Sequence, residues 1–233
     1  MKKRQLAKLG LTLGLVAAVS VGGTLALLSA QSNTVTNTFA AGNGINAAQD
    51  LTLFEHNTIN PKDKGITGTF NDGTPTGDEG KIDTDGVDYE NLEPNMILQK
   101  DPKVQVSEKT ANCYLFAKVE NGMKGITGVT IDGIFSTEGN ANWKLVDGTT
   151  DLYYYTENGM EGYVVNTSGG AVITEPLFTT VTLASDADIY DTTTGTNKLT
   201  EANNIQVKAL AVQATKNNNW DEAVKIAKEF NWK

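Results

Sequence analysis

The segment Asn112-Cys-Tyr-Leu-Phe-Ala-Lys-Val-Glu120 has the clearest two-residue period in this chain of 233 residues. One side of the segment carries Cys113, Leu115, Ala117 and Val119, and the other carries Tyr114, Phe116, Lys118 and Glu120. Successive side chains of a β-strand point to opposite faces of a sheet. The alternation therefore predicts a strand with an apolar inner face.

Shorter runs of the same kind occur along the chain at residues 50–55, 126–131, 143–146, 152–155, 163–165 and 176–183. Residues 205–214 are nearly apolar on both sides, which predicts a central strand covered on both faces. Turn-forming pairs such as Asp132-Gly133 and Asn158-Gly159 separate the runs at hairpin-like intervals. Many short strands separated by such turns predict an all-β fold, which is an antiparallel β-sandwich or jelly roll.

One short C-terminal helix is predicted at residues 219–230. Asn219 is suited to cap its N-terminus, and Glu222 stands where a capping box needs an acidic residue. Helical spacing forms an apolar stripe of Trp220, Val224, Ala227 and Phe230. We expect this helix to close one end of the sandwich, and the alternative is a helix that binds a partner.

The first residues of the chain have the pattern of a secretory signal peptide. A basic start is followed by an uncharged apolar run at residues 9–28, and the basic residues are Lys2, Lys3, Arg4 and Lys8. Export machinery reads this order of positive charge, apolar run and small residues, so we expect secretion. The alternative is an uncleaved membrane anchor, because the run is about long enough to span a bilayer.

After the signal, the segment Asn33-Thr-Val-Thr-Asn-Thr-Phe-Ala-Ala-Gly42 is rich in β-branched residues and has no glycine before its end. This composition predicts an extended strand rather than a polar tail. We therefore divide the chain into a signal peptide at 1–26, an N-terminal extension with a glycine hinge at 27–44, and one sandwich domain at 45–233.

The charge and cysteine content exclude several classes of partner. The net charge of the chain is −9, and loss of the four basic residues of the signal leaves −13. Such an acidic surface repels nucleic acid and anionic lipid, so membrane contact is expected only through the signal before cleavage. Cys113 is the single cysteine, which excludes an intramolecular disulfide and a cysteine-rich metal site.

Residues typical of catalysis are scarce, and we expect neither a catalytic site nor a cofactor. His56 is the single histidine, so a zinc site with paired histidines cannot form. A catalytic triad would have to use His56, which lies in Phe54-Glu-His-Asn-Thr58 beside no nucleophile elbow. The pattern favours an exposed histidine at the end of a strand.

A weak calcium candidate lies in the acidic stretch that contains Asp83, Asp85 and Asp88. An EF-hand loop starting at Asp83 needs glycine at its sixth position and glutamate at its twelfth. Asp88 and Pro94 occupy these positions, so a solvated loop between strands is favoured.

A group of aromatic residues is open to two interpretations. Its members are Trp143, Tyr153, Tyr154, Tyr155 and Tyr163. Packing across strands in the core is favoured. The alternative is that Tyr153 and Tyr155 face solvent as a glycan or protein contact.

Three segments resemble the TasA/camelysin family of exported Gram-positive proteins. The first joins Val21-Gly-Gly-Thr-Leu-Ala26 to Thr36-Asn-Thr-Phe-Ala-Ala-Gly42, and the second is Ile205-Gln-Val-Lys-Ala-Leu-Ala-Val-Gln-Ala214. The third is Leu92-Glu-Pro-Asn-Met-Ile-Leu-Gln-Lys-Asp101, where Pro94-Asn95-Met96 stands in place of the Pro-Gly-Asp turn usual in the family.

The resemblance implies a jelly-roll fold and a role as a subunit of extracellular or biofilm-matrix fibres. In the family, the extension of one subunit fills a strand-shaped groove in the next, which gives a head-to-tail homopolymer. Here Val35, Asn37 and Phe39 would form the assembly strand, and an accessory anchoring subunit is a possible partner. The alternative functions are a secreted camelysin-like protease and a cell-surface binding or anchoring protein.

Cleavage of the signal is expected between Ala26 and Leu27. Signal peptidases accept small residues at positions −3 and −1, which Thr24 and Ala26 satisfy. Cleavage after Ala30 would instead place the bulky Leu28 at −3. N-terminal sequencing of the secreted protein tests this expectation, and a mature terminus at Gln31 would contradict it.

Overall fold

The computed structural model describes residues 29–32, 45, 50–56, 68–70, 82–83, 87–89, 92–108, 110–157, 159–191, 193–194, 196–215 and 219–232. Its strands are β1 (Ser29–Ser32), β2 (Leu51–His56), β3 (Gly68–Phe70), β4 (Ile82–Asp83), β5 (Val87–Tyr89), β6 (Ile97–Gln99), β7 (Lys103–Val106), β8 (Cys113–Asn121), β9 (Val129–Ile131), β10 (Trp143–Leu145), β11 (Leu152–Tyr155), β12 (Val172–Ile173), β13 (Thr180–Leu183), β14 (Tyr190–Asp191), β15 (Thr196–Asn197) and β16 (Ile205–Gln213). A C-terminal helix, α1, spans Trp220–Glu229. The predicted all-β antiparallel fold with one short C-terminal helix is confirmed, and the jelly-roll type stays a prediction.

A five-stranded antiparallel sheet in the order β1-β16-β8-β11-β10 forms the centre of the fold. β8 and β16 pair along their whole lengths, from Ile205 opposite Asn121 to Gln213 opposite Cys113. The strands predicted at 112–120 and 205–214 are therefore both present, and they are direct neighbours. On its other side, β8 pairs with β11.

The inner face of this sheet packs against a second sheet, in the order β12-β7-β2-β4. Cys113, Leu115, Ala117 and Val119 face this core, as the two-residue period predicted. Val104 and Val106 of β7 are fully buried in the same cluster. The shared apolar core makes the two sheets a sandwich.

The outer face of the five-stranded sheet is covered by α1. The Asn219 side chain caps the helix by accepting a hydrogen bond from the Glu222 N–H at 3.1 Å. The Trp220 ring stacks on Phe116 with a centroid separation of 5.7 Å and meets Tyr154 edge-on at 4.9 Å. The expectation that the helix closes one end of the sandwich is thus wrong, because its apolar stripe lies on the aromatic face of β8 and β11.

A third sheet, in the order β6-β13-β9, carries a smaller apolar cluster around Leu98, Val181 and Leu183. The runs predicted at 126–131 and 176–183 shorten here to β9 and β13, since turns and loops take up the rest. The run predicted at 163–165 forms only an isolated bridge between Val165 and Cys113.

The turn before β6 explains the departure from the usual Pro-Gly-Asp sequence. Asn95 has φ +69, in the left-handed region that favours glycine. Pro94 followed by a residue with positive φ is typical of a type II turn, whose third position takes glycine or asparagine. Asparagine therefore preserves the backbone conformation that glycine would adopt.

Replacement of Asn95 by glycine is expected to leave the free energy of unfolding unchanged or slightly higher. Asn95→Val is expected to lower it by about 1–2 kcal/mol, because a side chain branched at Cβ clashes in the left-handed region. Urea denaturation of both variants measures the difference. A valine variant as stable as the parent would show that the turn does not require positive φ.

The Asp132 carboxylate joins the end of β9 to the start of β13. It accepts hydrogen bonds from the N–H groups of Thr179 at 2.6 Å and Thr180 at 2.9 Å, and from the Thr179 hydroxyl. Partial burial acts to raise the pKa of Asp132, but these hydrogen bonds outweigh it and lower the pKa below its ordinary value. The ionised form is therefore the one that stabilises the fold.

Replacement of Asp132 by asparagine is expected to lower the free energy of unfolding by about 1 kcal/mol at neutral pH, after allowance for solvent screening. Because folding lowers the pKa of Asp132, the stabilisation by its carboxylate is fully present above the pKa of the unfolded state. This stabilisation is lost as the pH falls through the pKa of the folded state. The two proteins should therefore converge in acid, which denaturation at a series of pH values measures. Asp186→Asn, in an exposed loop, is the matched control.

Candidate assembly edge

β16 is a long strand that lies between β8 and β1 in the five-stranded sheet. β8 pairs with it over all nine residues, and on the other side β1 pairs with Ala209, Leu210, Ala211 and Val212. These four residues are fully buried and contribute to the cores on both faces of the sheet. A strand at the edge of a sheet is a place where another extended segment can pair.

The outer edge of β16 faces β2 of the second sheet, and β1 lies close to both strands. β2 pairs with β7 over Leu51 to Phe54, and with β4 only at Glu55 and His56. β1, β16 and β2 therefore lie together at this side of the sandwich. The N-terminal strand β1 forms the edge of the five-stranded sheet there.

The sequence of β1 is Ser29-Ala-Gln-Ser32, which contains no large apolar residue. Its Cα register places Ser29 opposite Val212 and Ser32 opposite Ala209. A strand of this composition is held mainly by backbone pairing, which supplies affinity, whereas side-chain pockets supply specificity. This edge of the sheet is thus formed within one chain by a short strand of small and polar residues.

The opposite edge of the sheet has a different character. β10 is three residues long, with Trp143 buried and Lys144 between it and a half-exposed Leu145. Short edge strands that carry lysine are a usual protection against strand addition. Of the two sheet edges, the one that β1 forms next to β16 therefore lacks the protection seen at β10.

Most of the site residues predicted from the sequence lie outside the part of the chain that the structure describes. Ala26 and Leu27 at the cleavage site, and Val35, Asn37 and Phe39 of the assembly strand, lie outside the described residues. What the structure describes of the N-terminal extension is the stretch at 29–32, which pairs with β16 in the same chain.

The acidic stretch is not simply a solvated loop, because it contains strands β4 and β5. Asp83 lies on β4 opposite Glu55, and Asp88 lies on β5 opposite Thr69. Asp85 is outside the described residues. Among the residues that the structure describes, no group of three or more His, Cys, Asp or Glu side chains is placed to hold a metal ion.

The aromatic group belongs to the core, as favoured from the sequence. Tyr153, Tyr154 and Tyr155 are each 5–6% exposed, so the alternative of a solvent-facing contact at Tyr153 and Tyr155 is wrong. His56 ends β2 opposite Ile82, which confirms its position at a strand end. Burial raises the pKa of the Cys113 thiol to about 12, which makes it an inert core residue.

The chain is thus an antiparallel β-sandwich with one long edge completed by its own N-terminal strand. Comparison with protein-family models, curated proteins and solved structures finds no match to it. In the described part of the chain, no helix has both the length and the apolar character to cross a bilayer. The TasA/camelysin resemblance accordingly stays a prediction from three segments of sequence.

Proposed function

We propose that this protein is a secreted structural subunit of extracellular or biofilm-matrix fibres, and that its subunits join by donor-strand exchange. The observation that carries the proposal is the pairing of the N-terminal strand β1 with β16 along Ala209 to Val212, at the edge of the sheet. A site that already accepts a strand from the N-terminal extension can accept one from a neighbouring subunit. The jelly-roll type of the sandwich belongs to the same proposal.

The difference in composition between β1 and the residues after it favours exchange between subunits. β1 offers small and polar side chains, whereas the following segment includes Val35 and Phe39. In a neighbouring subunit, that segment would make the same backbone pairing along β16 and would also fill apolar pockets. The contact between subunits would then be stronger than the one within a chain.

Donor-strand exchange of this kind is a head-to-tail contact. The donor is the N-terminal extension, and the acceptor is the side of β16 with which β1 pairs, so the two surfaces differ. A contact between unlike surfaces that does not close into a ring produces an open filament. An accessory anchoring subunit that offers only one of the two surfaces would end or attach the filament.

Signal cleavage after Ala26 would act as the switch for assembly. Before cleavage, the extension remains joined to a membrane-bound signal, which keeps it from reaching a neighbour. An exposed sheet edge and a free β-rich segment are both aggregation hazards. Processing at export would therefore confine assembly to the outside of the cell. We propose that the protein is located there.

A protease function has less support from the residues. The chain has a single histidine, at the end of β2, and the ligands of a paired-histidine zinc site are missing from its sequence. We therefore propose a non-enzymatic role without cofactors. The second candidate, a cell-surface binding protein, would use the same sandwich as a monomer.

Deletion of residues 27–41 is expected to abolish filaments while the sandwich stays folded. β1 is lost with this segment, but the pairing of β16 with β8 and both apolar clusters remain. Electron microscopy and circular dichroism of the mature protein with and without the segment make the comparison. A truncated protein that forms the same filaments would refute donor-strand exchange.

A matched pair of substitutions separates a pocket contact from a general effect of charge. Phe39→Asp is expected to weaken assembly by several kcal/mol, because it places a carboxylate in an apolar pocket. Thr38→Asp adds the same charge on the opposite face of the strand and should have a much smaller effect. Sedimentation of filaments measures both, and equal effects would contradict the proposed register.

A further inference from the structure

A polar cleft of about 630 Å³ opens at the end of the five-stranded sheet where β10 begins and β11 ends. It lies away from the β16 edge and has no part in the proposed assembly. The residues that line it include Asn142, Tyr155, Glu157, Glu175 and Phe178. The volume is in the range of pockets that hold small ligands or single side chains.

The walls of the cleft are fixed by hydrogen bonds between distant segments. The Asn140 amide donates to the carbonyl oxygens of Pro176 at 2.9 Å and Leu177 at 3.1 Å. The Trp143 indole Nε1–H donates to the Glu175 carbonyl oxygen at 2.9 Å. Because these bonds join residues 140–143 to residues 175–177, the cleft is preformed rather than made by the ligand.

Tyr155 lines the cleft from a buried position. The residue is 5% exposed, and its ring packs edge-on against Trp143 at 5.3 Å and Tyr163 at 5.8 Å. Within the described part of the chain, its hydroxyl has no hydrogen-bond partner. Burial and the negative charges of Glu157 and Glu175 raise the pKa of Tyr155, and all three residues line the cleft. A buried hydroxyl left unpaired is costly, so its position indicates a ligand.

The two carboxylates at the rim have no cationic partner among the residues that the structure describes. Glu157 and Glu175 are exposed, and neither forms an ion pair with a described lysine or arginine. Glu157 is oriented by the Tyr163 hydroxyl; burial and this hydrogen bond raise the pKa of Tyr163 to about 12. The cleft therefore combines two negative charges with an apolar wall at Phe178.

We propose that this cleft binds an alkylammonium group, as carried by a lysine side chain or a polyamine. An ammonium has three N–H donors, and the cleft offers three acceptors in Glu157, Glu175 and the Tyr155 hydroxyl. The alkyl stem would lie against Phe178. Calcium fits less well because it takes six to eight oxygen ligands, most of which this cleft does not supply.

Isothermal titration calorimetry of the purified protein with butylammonium chloride at low salt tests the proposal. Glu157→Gln and Glu175→Gln are each expected to weaken binding about tenfold, since each removes a charge-assisted hydrogen bond. Tyr155→Phe is expected to weaken it about threefold, because it removes a neutral one. Glu161→Gln, a nearby carboxylate that does not line the cleft, is the matched control and should bind as the parent does.

Thermal unfolding of each variant shows that the fold is intact before its affinity is compared. Spermidine and a lysine-containing peptide, titrated separately, distinguish a free polyamine from a protein side chain as the source of the ammonium. Absence of butylammonium binding, or unchanged binding in Glu157→Gln and Glu175→Gln, would overturn the proposal. Calcium binding in the cleft that excludes butylammonium would also overturn it.

Discussion

The pairing of β8 with β16 is the interaction on which the rest of the structure depends. Nine residues of each strand lie opposite one another, and both faces of the pair are buried. The inner face packs on the second sheet, and the outer face carries the aromatic residues that receive Trp220 of α1. Each such aromatic contact adds about 0.5–1.5 kcal/mol beyond the area it buries. A sheet covered on both faces can grow only at its edges.

This constraint determines which parts of the sheet are open to strand addition. The β10 edge is short and includes a lysine, while at the opposite edge four residues of β1 pair with the long, apolar β16. Backbone pairing is nearly independent of sequence, so an extended segment that reaches β16 competes with β1 for it. Selection among such segments comes from their side chains.

The two ends of the five-stranded sheet differ in charge as well as in shape. At the β10 end, Glu157 and Glu175 flank the buried Tyr155 hydroxyl in a cleft that several loops hold open. At the opposite edge, β16 and β2 contribute apolar residues such as Leu51 and Ala209 to the core. The acidic cleft and the β1 edge therefore lie on different parts of the sandwich and differ in their chemistry.

The sequence by itself determined the all-β class, the two long strands and the capped helix. In these elements the signal is local: a two-residue period at 112–120, apolar character on both sides at 205–214, and Asn219 before Trp220. It did not predict β7, because the alternation of Lys103-Val-Gln-Val106 is only four residues long and follows a proline. The 163–165 run looked like a strand, but its backbone reaches only one partner, at Cys113.

Only the tertiary structure decided which surfaces are available for function. Tyr153 and Tyr155 alternate as surface residues would, yet both sheet faces are covered, so both are buried. The edge that β1 forms lies where β16 and β2, far apart in sequence, meet at one side of the sandwich. The cleft likewise brings Tyr155 and Glu157 to Glu175 from another segment. Such sites depend on contacts between distant segments, which no local period in a sequence records.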